Sequence, residues 1–264
     1  MSKTENSIFP DMIESVSNAV HQNLPETEKE TDGVLSTVVG FFNNVVFYPV
    51  KKANITYKYK LEAFKDDLKE KTKDIPEGNL QVPPTMIAGP VLEALKYTYD
   101  EEELREMYEN LLASAMDNRR LSSTHPSFVD AIKQMNPLDA NVLKQIADYQ
   151  QLRCVKIRFA LTESTQFYSK AMPDFFCEEL CDLEDPFSVS LSIINLIRLG
   201  LIDVFDGKIR GADYESLKNH PYVTSRKRIF ESFQRKFVLQ KSDKVIVITD
   251  YGKAFIKVCL NKEI

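Results

Sequence analysis

With 264 residues, 43% of them hydrophobic and 28% charged, the chain can form one large or two medium domains, each with its own buried core. Only 8 glycines and no tryptophan, among long Leu/Lys/Glu-rich stretches, indicate a mostly helical protein and leave no room for a glycine-rich phosphate loop. A net charge of −5 argues against a strongly basic nucleic-acid-binding protein, and Cys154, Cys177, Cys181 and Cys259 lack the spacing of a disulfide framework, so free thiols in a reducing cytosol are expected.

Residues 1–32 are polar, with Glu26, Glu28, Glu30 and Asp32 close together. They read as a partly mobile arm with one short helical stretch through Met12, Ile13, Val16 and Val20. No basic-then-apolar secretory signal opens the chain. Residues 33–50 carry no charge, and Ser36, Gly40, Asn43 and Asn44 form a narrow small-and-polar stripe on an otherwise apolar helix. The run falls short of the roughly 20 apolar residues of a spanning helix and is interrupted by Asn43, Asn44 and Pro49. Lys51 and Lys52 follow at once. Burial against later helices, self-association, and an interfacial position on an anionic membrane all fit this pattern. In the last two cases Val38, Phe41, Phe42, Val45, Phe47, Lys51 and Lys52 make the contact.

A charged amphipathic helix is expected from about 53 to 73, with Ile55, Leu61, Phe64 and Leu68 on its apolar face. Residues 74–90 hold Pro76, Gly78, Pro83, Pro84, Gly89 and Pro90, the densest group of helix breakers, and read as a hinge. A helix through Val91, Leu92, Leu95 and Tyr99 follows. Asp100 and Glu103 have capping-box spacing for the next one, which carries Leu104, Met107, Tyr108, Leu111, Leu112 and Ala115. Pro126 and Pro137 each stand near a helix start, Pro137 behind a good capping residue, Asn136.

From Pro137 the pattern changes. A helix to about 150 precedes a strand at 153–161, where Val155, Ile157, Phe159 and Leu161 alternate with Lys156 and Arg158. Helices near 174–183 and 186–199 follow. The second ends at Gly200 and runs into a short strand, and much later come the strand Val245–Ile248, the capping residue Thr249 and a final helix. That order predicts a winged-helix-like α+β unit over 136–264, behind a helical region over 33–135; the whole is mainly α. Its helix 186–199 offers Ser188, Ser190, Ser192, Asn195 and Arg198, with a single charge, which is poor for phosphate contacts. Arg226, Lys227, Arg228, Arg235, Lys236, Lys241 and Lys244, against Glu231 and Asp243, would make a basic wing, the alternative nucleic-acid surface.

The block Leu104–Asp117, with His125-Pro126-Ser127-Phe128-Val129 and Ile132–Ala140, resembles the Abi-alpha family, bacterial proteins named for phage abortive infection, over roughly residues 33–260. The resemblance implies a role in defence against phage. It supplies no catalytic residue.

The residues themselves point to no enzyme. Cys177 and Cys181 are four apart, but no histidine lies near enough to complete a zinc tetrad, and two small buried apolar residues explain the pair. His125 stands in a Ser/Thr-rich loop where it can cap a helix. The acidic runs 101–109 and 174–185 read as solvated helix faces. No catalytic residue, metal or cofactor is expected. The expectation is a cytoplasmic defence protein, peripheral at the inner membrane when the 33–52 segment is exposed. Its partners would be a protein or phage component, an anionic membrane, a second copy, or nucleic acid.

Overall fold

The computed structural model describes residues 55–160, 168–169, 172–232 and 238–264, together with the isolated positions 33 and 38. The arm 1–32 and Phe41, Phe42, Val45, Phe47, Lys51, Lys52, Arg235 and Lys236 lie outside the described residues; Val38 is buried. The chain is mainly α and divides into two compact units at Gln134/Met135.

The first unit is helical. Helix α1 (Ile55–Thr72) buries Phe64 and Leu68, as their spacing predicts. Helix α2 (Thr85–Thr98) starts six residues earlier than Val91 and contains Pro90, whose ring removes one helical N–H. Helix α3 (Glu102–Met116) is the centre of the unit: every residue from Met107 to Met116 is buried, including Glu109, Asn110 and Ser114. Its expected cap does not form. The N-cap is Glu101, without a side-chain bond, and Asp100 instead pairs with Lys60. Helix α4 (Ser127–Lys133) begins after Pro126, and His125 Nδ1 accepts from the Ser127 amide at 3.1 Å, so this histidine serves as a cap.

The breaker-rich stretch between α1 and α2 is tied to the end of α3. Gln81 N donates to Met116 O at 2.9 Å, Asn118 N donates to Asn79 O at 3.0 Å, and Leu80 forms a bridge with Asp117. Asp117 is itself held by Arg119, whose guanidinium keeps that carboxyl below the usual carboxylate range.

The second unit is α+β. Helix α5 (Pro137–Tyr149) opens with a full capping box, in which Asp139 N donates to Asn136 Oδ1 and Asn136 N donates to Asp139 Oδ2, both at 2.9 Å. Strand β1 (Gln151–Ala160) follows through Gln150, at φ 62°. The short β2 (Tyr168–Ser169), α6 (Pro186–Arg198), β3 (Ile202–Asp206), α7 (Glu215–Asn219), α8 (Pro221–Ser232), β4 (Val238–Ile248) and α9 (Asp250–Phe255) complete the order, α9 running on as a π turn, Ile256–Leu260. The sheet is antiparallel in the order β2-β1-β4-β3.

On one face of β1, Val155, Ile157 and Phe159 join Met172, Phe176, Tyr214, Leu217 and Val223 in a hydrophobic core. Lys156 and Arg158 therefore point to the other face, because strand side chains alternate. The helix expected near 174–183 shrinks to one 3-10 turn, Glu178–Leu180. Phe176 has a better use for its backbone: it exchanges both hydrogen bonds with Val155, at 3.0 and 2.9 Å, at the edge of β1. Among the described residues no helix is long and apolar enough to cross a membrane.

Candidate interaction groove

Helix α6 is where sequence and structure diverge most usefully. Asp185 caps it by accepting from the amides of Phe187 and Ser188, each at 3.1 Å, and Pro186 fills the first turn, where an absent N–H costs nothing. Val189, Ile193 and Leu196 face the interior, and so do Ser190 and Ser192. Ser190 Oγ accepts from the Phe175 amide at 3.1 Å, which satisfies a buried hydroxyl and fixes the preceding loop. Asn195 donates to Asp139 Oδ2 at 2.8 Å and accepts from Arg198 at 2.7 Å. Three of the residues expected to meet a groove of nucleic acid, Ser190, Ser192 and Asn195, are thus engaged inside the unit.

The outward face is apolar instead. Phe187 is 39% exposed, Leu191 66% and Ile194 40%. Their spacing, i, i+4 and i+7, puts all three on one stripe of the helix. Between this stripe and β1 lies a cavity of about 470 Å³ lined by Lys156, Ile157, Arg158, Met172, Pro173 and Asp174. Lys156 Nζ pairs with Asp174 Oδ1 at 2.7 Å, and the Arg226 guanidinium lies 5.9 Å from the Phe187 ring centroid and 5.3 Å from that of Tyr222. The groove has an apolar floor and helix wall, with cations at its rim. No described group of three or more His, Cys, Asp or Glu side chains is placed to hold a metal.

The basic stretch is not a loop. Arg226, Lys227 and Arg228 stand on helix α8; Arg226 is over the two rings, Lys227 Nζ is 3.8 Å from Glu231, and Arg228 is exposed. Lys241 and Lys244 on β4 are taken up by Glu215 and Asp243, and by Asp206, respectively. Of these acidic partners, Glu215 and Asp206 come from segments that the local charge count left out. Sequence reasoning missed Phe187, Leu191 and Ile194 as a surface; their spacing was the available signal, read only as a helix.

The model of the abortive infection alpha family matches residues 56–259. The chain belongs to the Abi-alpha family. That match takes in both units, and so includes α3, α6 and the groove. Abi-alpha membership suggests an abortive-infection role in phage defence. No curated protein and no solved structure matches this Abi-alpha chain.

The second unit is also fastened by ion pairs. Arg153 is bonded by Glu178 and Glu179, both at 2.6 Å, and these carboxylates hold its guanidinium more firmly charged than usual. Tyr214 Oη donates to the Lys244 carbonyl at 3.0 Å.

Proposed function

We propose that this Abi-alpha protein acts in phage defence by capturing a protein partner in the α6–β1 groove. The carrying observation is the stripe Phe187, Leu191 and Ile194, left exposed on a helix whose other face is fully packed. Three large apolar side chains in a row along a concave surface cost solubility and leave much of their area outside the unit's own core, which supports an interaction site. The same stripe counts against nucleic acid at this helix, since phosphate contacts dominate that kind of affinity and Arg198 is its sole cation.

The test is a plaquing assay in a host expressing the protein, beside melting of the purified chain. Phe187→Asp with Leu191→Asp should restore plaquing to the level of an empty host while the melting temperature stays near wild type. A folded double variant that still protects would sink the groove reading.

A second reading rests on the uncharged run 33–50 and the lysines behind it: contact with the inner membrane surface. Flotation with anionic but not zwitterionic liposomes, lost in Phe41→Asp with Phe42→Asp, supports that contact. Equal flotation of the folded double variant removes it.

A further inference from the structure

The groove is walled on one side by Met172, Pro173 and Asp174, and just beyond that wall two cysteines lie opposite each other. Val155 and Phe176 exchange both backbone hydrogen bonds, so they form an isolated antiparallel bridge with the geometry of a hydrogen-bonded pair. One step along each strand, the next directly opposed residues are Cys154 and Cys177. Cys177 is extended, at φ −122° and ψ 123°, so the backbone keeps strand dihedrals one residue past the bridge before it turns at Glu178. A non-hydrogen-bonded pair of this kind brings its Cα atoms to about 4.5 Å, with both side chains on the same face. Disulfides span Cα separations of roughly 4.4–6.8 Å. Both thiols are free and buried, and they face away from the core formed by Val155 and Phe176.

We propose that Cys154 and Cys177 are a dithiol pair that closes to a cross-strand disulfide under oxidation and thereby fixes the wall of the groove. The oxidant is a small peroxide. The sulfur of one cysteine attacks a peroxide oxygen, breaks the O–O bond and becomes a sulfenic acid, with release of one water. The sulfur of the other then displaces the sulfenic oxygen as a second water, and the S–S bond forms. Two thiols are oxidised and one hydrogen peroxide is reduced to two waters.

Burial sets the pace. It pushes the Cys177 thiol well up, with the bond to Cys154 adding to the effect, so thiolate is scarce and the wall must open before reaction. The same burial shields the finished disulfide from reductants.

Its consequence lies in the groove. In the dithiol state the wall is held to β1 by the Val155–Phe176 pair and to α6 by the Phe175–Ser190 bond. A covalent bond beside them holds Pro173 and Asp174, two lining residues, in one arrangement.

Cys181 is the competing thiol. It lies one turn on from Cys177, with Sγ 3.1 Å from the Cys177 carbonyl oxygen, and is only half-buried, though burial and then Glu178 push its pKa up to about 11.

The experiment incubates the full-length folded protein with hydrogen peroxide, then maps linkages by non-reducing proteolysis and mass spectrometry. The expected product joins the peptides carrying Cys154 and Cys177, lacks two hydrogens and reverts with a reductant. Thiol titration in denaturant falls from four per chain to two. The Cys181→Ala variant forms the same link; Cys154→Ala and Cys177→Ala do not. Amide exchange at Phe176 slows at least tenfold in the oxidised protein. A Cys177–Cys181 link, oxygen addition at Cys181 alone, or four surviving thiols after a day would each overturn the proposal. Where Cys154→Ala folds poorly, the Cys181→Ala variant, which leaves the pair intact, still decides it.

Discussion

Helices α3 and α6 are both rich in apolar residues, yet one is buried all round over its last ten residues and the other presents an apolar stripe to solvent. From Met107 to Met116 every residue of α3 is buried, so packing dictates that stretch, down to Asn110 and Ser114. Helix α6 turns Val189, Ile193 and Leu196 inward and leaves Phe187, Leu191 and Ile194 outside. Packing accounts for the first set and not the second. Hydrophobic residues alone therefore do not separate structure from function in this chain. What separates them is whether a neighbour in the fold uses them.

The largest expected effect tests the α3 side of that contrast. Leu112→Ala, at a fully buried position, should lower the stability of the first unit by about 2–5 kcal/mol, read by denaturant melting. A loss below about 1 kcal/mol would mean that the centre of the unit lies elsewhere.

The next effect comes from Glu109, which α3 buries to 3% exposure. Its Oε1 accepts no hydrogen bond, and its carboxylate oxygens stand 3.7 Å from Arg105 and 3.9 Å from Lys71. Burial, and then Asp67, push its pKa up from 4.5 to about 7, against the opposing pull of Lys71 and Arg105. The folded value lies above the unfolded one, so the native state holds an extra proton between them. Stability is highest at the acid end of that window and falls as pH rises through it, by about 3 kcal/mol in all. Glu109→Gln should flatten this slope and gain stability above neutrality, apart from what the lysine and arginine lose. Parallel melting profiles for wild type and variant would refute the burial argument.

A smaller effect is expected where the second unit begins. Asn136→Ala removes one arm of the capping box and should cost about 1 kcal/mol. The smallest belongs to α6: Leu191→Asp should change stability by no more than about 0.5 kcal/mol, because the side chain is mostly in water. Severe destabilisation would show that Leu191 packs, and the contrast with α3 would collapse.

Much of the fold is legible in the sequence because local rules decide it. Asn136 and Pro137 announce a helix start, Val155, Ile157 and Phe159 alternate as a strand must, and Thr249 caps the last helix by accepting from the Gly252 amide. The failures share one cause. Residues 174–183 suit a helix locally, but Phe176 is drafted into a bridge by Val155, some 20 residues away. Both faces of α6 are apolar, so periodicity gives the helix and not its rotation; that is set by contacts such as Ser190 with the Phe175 amide. The basic surface shrinks for the same reason, since Glu215 reaches Lys241 from α7 and Asp206 reaches Lys244 from the neighbouring strand β3. The candidate groove is a product of these distant contacts, and only the spacing of its apolar stripe is written locally.

Gly252 joins the two ends of the α+β unit. A methyl group there would stand 1.9 Å from the Leu201 carbonyl oxygen, so the start of α9 presses directly on the turn that ends α6. Thr249 completes the seam, its Oγ1 donating to Gly200 O at 2.6 Å and its N–H to Leu201 O at 3.1 Å. Mechanically this is a rivet. The carboxy-terminal helix and the end of α6 are thus fastened to each other directly, without passing through the sheet.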